Sequence, residues 1–149
     1  MRTAVYTTLL AFIARGLAGG ETITVSDLSI HKKGTPAGLQ IESVSFKVNG
    51  VDADNLDCSA TSVAFPEPDE LRPCGETHYF FTLWAGEKEE FRVMVYHDVG
   101  DSHADYRGWS DVPTVCKDNS ATGPLDQTCT QDKPVTWQID GPVGLRPDL

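Results

Sequence analysis

Four cysteines, Cys58, Cys74, Cys116 and Cys129, follow a short apolar leader, and this arrangement limits what the chain can become. Arg2 provides the positive start of the leader, Ala4 to Ala14 its mostly apolar stretch, and Gly16-Leu17-Ala18 the small residues of a cleavage point. Residues 1–18 therefore read as a signal peptide cut around 18–20. The apolar run is too short to cross a bilayer, which takes about 20 residues. Behind such a leader, an even cysteine count reads as two disulfides in an oxidising compartment. Three pairings are open. The sequence-local one, Cys58–Cys74 with Cys116–Cys129, is favoured because each pair brackets a segment rich in Pro, Gly or Asp. A zinc site would need cysteines two to four residues apart, and no such spacing occurs.

The bracketed segments resist regular structure. Pro66, Pro68 and Pro73 cannot donate ladder hydrogen bonds, so residues 65–73 must run as a loop or a sheet edge. Ordering such a loop costs conformational entropy, and a covalent tie at both ends removes part of that cost. Residues 117–128, KDNSATGPLDQT, form the second bracketed segment. Loops held to a rigid scaffold are where binding usually resides.

Elsewhere apolar and polar residues alternate with period two, which predicts half-buried strands. Thr22–Val25 opens the domain. In Gln40–Val48, Val44, Phe46 and Val48 share one face. Thr77–Trp84 sends Tyr79, Phe81 and Leu83 one way and His78, Phe80, Thr82 and Trp84 the other, both apolar enough for a central strand. Glu90–His97 turns Phe91, Val93 and Val95 inward and pairs with it as a hairpin. Pro134–Ile139 closes the domain with Val135, Trp137 and Ile139 on one side. No helical stripe and no internal repeat appears. These features predict an all-β fold, a single compact antiparallel barrel or sandwich over 21–140, with a flexible tail at 141–149.

Composition excludes some partners. Removing Arg2 and Arg15 with the leader leaves 10 bases against 22 acids, a formal charge of −12 on 131 residues. Nucleic acid and anionic membranes reward clustered Lys and Arg, so neither is expected as a partner.

The motifs around the cysteines resemble the secreted fungal family of the Alternaria major allergen. Leu56-Asp57-Cys58-Ser59-Ala60 and Cys74-Gly75-Glu76, which leads into an aromatic strand, carry the first half of the resemblance. Asp111-Val112-Pro113-Thr114-Val115-Cys116 and Gly123-Pro124-Leu125-Asp126-Gln127-Thr128-Cys129 carry the second. The resemblance implies a β-barrel with the two local disulfides. Through the family's elicitor branch, it also implies a secreted effector acting in the plant apoplast. Such an effector would engage an extracellular plant defence protein, such as a thaumatin-like pathogenesis-related protein, or a cell-surface receptor, and would trigger hypersensitive responses. Some members of the family carry a small aromatic, flavonoid-type ligand, so a ligand carrier is the alternative reading; a secreted hydrolase or enzyme inhibitor ranks lower. Allergen-type members link two subunits through an extra N-terminal cysteine. Residues 21–57 hold no cysteine, so a covalent dimer is not expected.

No catalytic pattern stands out, and neither enzyme activity nor a cofactor is expected. The richest polar stretch, His97–Asp111 (HDVGDSHADYRGWSD), holds His97, His103 and four aspartates. It lacks the helical spacing of a zincin and the Ca²⁺-loop pattern, so it reads as a solvent-exposed loop with no metal. Within it Tyr106, Arg107 and Trp109 are the candidate partner-binding residues, because Tyr, Arg and Trp are enriched at interface hot spots.

Overall fold

The computed structural model describes residues 20–100, 106–119 and 125–141, all strand, turn or loop. The leader, the tail from 142 onward, and His103 and Asp105 lie outside the described residues.

Ten strands form two antiparallel sheets. The first contains β1 (Glu21–Thr35), β2 (Gly38–Gly50), β3 (Ala53–Val63), β8 (Thr114–Asp118), β9 (Asp126–Gln131) and β10 (Val135–Ile139). They run in the order β3-β2-β1-β9-β8, with β10 also on β1. The second sheet is β4 (Arg72–Pro73), β5 (Tyr79–Ala85), β6 (Phe91–His97) and β7 (Tyr106–Val112), in that order. β1 serves two partners along one edge: Glu21–Val25 pairs with β10 and Ser29–Lys33 with β9. A bulge between Ser26 and Ser29, with Asp27 at a φ of 56°, separates the two pairings. Such bulges bend a strand and increase its twist.

The expected pattern of inward residues holds. Val44, Phe46 and Val48 of β2, Tyr79, Phe81 and Leu83 of β5, and Phe91, Val93 and Val95 of β6 are all buried. The rings of Phe46 and Phe81 meet edge to face at 4.8 Å across the two sheets, a favoured aromatic geometry. Val135 and Trp137 pack against this core only partly buried, whereas Ile139 is fully enclosed. The sheets also approach each other at β7 and β10. A Cβ on Gly108 would lie 2.4 Å from Gln138 O, so a glycine is required for that approach.

The two disulfides join Cys58 to Cys74 and Cys116 to Cys129. The first connects β3 to the residue after β4, and so ties one sheet to the other. The second joins directly opposed residues of β8 and β9. Within the second bracketed segment Lys117 and Asp118 pair with Thr128 and Gln127, so its ends are strands where a loop was expected. The expectation for His97–Asp111 needs the same correction. Residues 106–112 form β7, paired along its whole length with β6, which puts Tyr106, Gly108, Ser110 and Val112 on the inward side and Arg107, Trp109 and Asp111 on the outward side.

Candidate functional site

The outward face of the second sheet carries an unusual set of side chains. Register places Phe80, Tyr96 and Arg107 in one row, Thr82, Met94 and Trp109 in the next, and Trp84, Arg92 and Asp111 in the third. Four aromatic rings, one methionine and two arginines thus share a three-strand surface, and all except the buried Thr82 keep some exposure. Of the residues singled out in the sequence, Arg107 and Trp109 belong here. Tyr106 does not: alternation along β7 turns it inward, where it packs against the core. The other members escaped sequence reasoning, although the second apolar face of Thr77–Trp84 was a visible sign of them.

Trp109 is 48% exposed. The Arg92 guanidinium lies 3.6 Å from the centre of its ring, a close cation–π stack. Arg92 is fixed in turn: its Nε donates to Asp111 Oδ1 at 2.8 Å, and its Nη2 stands 3.3 Å from Glu87 Oε1 as an ion pair. Asp111 Oδ2 accepts the backbone N–H groups of Glu87 and Lys88 at 2.9 and 2.8 Å. Burial opposes the charge on Asp111, but the bonds from Arg92, Lys88 and Glu87 outweigh it and hold the carboxyl below its ordinary value. Burial likewise works against Arg92, and Asp111 and Glu87 raise its pKa above the usual one. One side of the Trp109 ring is therefore backed by a guanidinium that two carboxylates hold in place.

A second polar constellation sits at one end of the molecule. Glu21 Oε2 lies 2.7 Å from His97 Nδ1, and Tyr79 Oη donates to Glu21 Oε1 at 2.8 Å. Asp52 N donates to Tyr79 Oη at 3.2 Å, and Asp52 Oδ2 lies 3.5 Å from His97 Nε2. The four groups close a ring that joins β1, the β2–β3 turn, β5 and β6. The Tyr79 and His97 rings stack at 4.0 Å. Burial first, with Glu21 adding to it, pushes the Tyr79 phenol well above its ordinary pKa. A cleft of about 270 Å³ opens beside the ring, lined in part by Asp52, His78, His97 and Val99. His97 is thus no loop residue: it continues the inward phase of Phe91, Val93 and Val95, a signal present in the sequence. A carboxylate–imidazole pair orients a base in many hydrolases. Here the second imidazole nitrogen faces Asp52, and the ring ties β1, β5 and β6 to the β2–β3 turn.

Glu90, Cys116 and Cys129 also lie close enough together to suggest metal ligands. Both sulfurs belong to a disulfide, so neither is available as a thiolate. Glu90 instead pairs with Lys32.

Comparison with known proteins follows from this geometry. Residues 25–129 match the family profile described as Alternaria alternata allergen 1. This chain belongs to that family. Like other members of the Alternaria alternata allergen 1 family it can be compared at the sequence level: it is 35% identical over 122 residues to the effector protein PevD1 of Verticillium dahliae, covering 80% of this chain and 72% of that protein. A crystal structure of the Alternaria alternata allergen Alt a 1 superposes with a TM-score of 0.58 at 20% identity, over 77% of this chain and 84% of the other. A second crystal structure of the same allergen gives 0.58 at 18% identity, over 77% and 89%. At these identities the structural matches establish the shared β-barrel fold.

Proposed function

We propose that this protein is a secreted fungal effector that acts outside the cell by binding an extracellular plant defence protein or receptor, and not by catalysis. The single observation that carries this reading is the 35% identity to the PevD1 effector across most of the chain. Several features support it. The disulfides suit an oxidising compartment. The Glu21–His97–Tyr79 ring, where acid–base chemistry would be sought first, is closed on itself. Arg107 and Trp109, residue types favoured at hot spots, stand on an outward sheet face.

The test is infiltration of the folded, oxidised protein into leaves, scoring ion leakage and the oxidative burst, with reduced and alkylated protein as the control. A dose-dependent response from the oxidised form alone is expected. Silence at every dose of folded protein overturns the reading. Pull-down from leaf extracellular fluid then identifies the partner.

A further inference from the structure

We propose that the outward face of the second sheet is a stacking platform for a neutral β-1,4-linked glucan chain of the plant cell wall. This goes beyond the effector reading, on which the choice of a plant polymer rests.

The size of the face is the first argument. Successive rows along a strand are about 6.7 Å apart and strands about 4.8 Å, so three rows on three strands span roughly 13 by 10 Å. The rows are long enough to seat a narrow ligand a few rings long.

Charge is the second. The chain is strongly acidic, yet on this face Arg92 and Arg107 stand against Asp111 and Glu87, two charges of each sign. That balance gives a charged ligand no strong pull. It combines ring surface with the polar ends of Arg107 and Tyr96.

Geometry is the third. A β-1,4-linked glucan is a flat ribbon: its hydroxyls are equatorial and point outward at the edges, and its axial C–H bonds form two apolar faces. Such a face lies on aromatic rings while the hydroxyls reach polar groups beside them. Trp109 and Trp84 stand two strands and one row apart, about 12 Å by strand geometry, close to the length of one disaccharide unit. Trp109 is also held in place before any ligand arrives. Arg92 stacks on its ring while the residue keeps 48% of its surface exposed, which reduces the ordering cost of binding.

The test is titration of the full oxidised protein with cellohexaose, read by tryptophan emission, together with co-sedimentation on microcrystalline cellulose. Saturable binding is expected. Trp109→Ala should weaken it by about tenfold or more, since an aromatic stack is worth about that factor. Because Trp109 is exposed, this variant should keep the native melting temperature; Arg92→Lys retains the charge but loses the planar backing and should fall between. Val51→Ala, at an exposed position off this face, should bind normally. No binding of cellohexaose overturns the proposal, as does binding of chitohexaose or laminarihexaose alone. It is equally overturned if sedimentation velocity shows a dimer that Trp109→Ala dissociates, because a second copy would then be the occupant.

Discussion

His97 Nδ1 lies 2.7 Å from Glu21 Oε2 in the interior, joining the end of β6 to the start of β1. Both side chains are almost fully buried. Removing the imidazole leaves Glu21 Oε2 without its partner in a poorly solvated site, with only the Tyr79 bond to Oε1 remaining among the described contacts. His97→Ala should therefore cost about 3–5 kcal/mol. Tyr79→Phe removes one hydrogen bond to Glu21 and leaves the Asp52 N–H without its acceptor, for about 1–3 kcal/mol. Urea unfolding of the two variants should rank them in that order. Native-like midpoints for both would mean that the ring contributes nothing to joining the sheets.

Gly50 ends β2 directly over this ring. A Cβ there would sit 2.8 Å from Glu21 Oε1 and 2.9 Å from Tyr79 Oη. The obstructing atoms are already committed to each other, so they cannot swing aside without breaking their bond. Gly50→Ala should destabilise by about 1–3 kcal/mol. In the Tyr79→Phe background, where that bond is already lost, the added cost should shrink. A double-mutant cycle with zero coupling would sink this account.

Tyr79 also sets an alkaline limit. Its folded pKa is raised, chiefly by burial, so the neutral phenol is what the fold accommodates. The unfolded chain ionises it near pH 10. The contribution is complete below that value and is lost as pH rises from there toward the folded pKa. Stability measured by urea unfolding from pH 8 to 11 should fall at the upper end, and Tyr79→Phe should flatten the decline. Parallel curves would assign the loss to other groups.

Much of this architecture was legible in the sequence. Strands whose alternate residues are all large and apolar, such as Phe91, Val93 and Val95, declared their inward face. β3, β7, β8 and β9 did not, because ADNLDCSATSV and DQTCTQ hold their register through backbone pairing and a disulfide rather than through large side chains. The second bridge was expected to staple a loop for the same reason: Asp126–Gln131 is too polar to announce a strand. Of the candidate site, Arg107 and Trp109 were found by residue type. Arg92 was not, since its role depends on a neighbour in another strand, which only the register reveals. Tyr106 turns toward the core because one step along a strand reverses a side chain's direction.

The two disulfides should differ in worth despite similar sequence separations of 16 and 13. Chain entropy alone gives each roughly 3 kcal/mol. Cys116 and Cys129 sit on opposed positions of a hairpin that backbone hydrogen bonds already close. Cys58 and Cys74 join separate sheets, where β4 pairs with β5 through two residues and reaches β3 through an Arg72 bond to Ser62 O. Replacing Cys58 and Cys74 by alanine should lower the urea midpoint further than replacing Cys116 and Cys129. The opposite order would place the more important constraint in the β8–β9 hairpin.

Asp111 links stability to the aromatic face. Burial raises its pKa, but the bonds from Arg92, Lys88 and Glu87 dominate and the folded value is lowered. Its contribution is therefore present above the unfolded value near 4 and is lost as pH falls through the folded one. Asp111→Asn should flatten the acid limb of the stability profile below about pH 4. The same change frees the Arg92 guanidinium from the oxygen at 2.8 Å that aligns it over Trp109. Fluorescence anisotropy of Trp109, measured with Trp84 and Trp137 replaced by phenylalanine, should consequently drop in the Asp111→Asn background at neutral pH. An unchanged anisotropy would show that Arg92 holds the ring without help from the carboxylate.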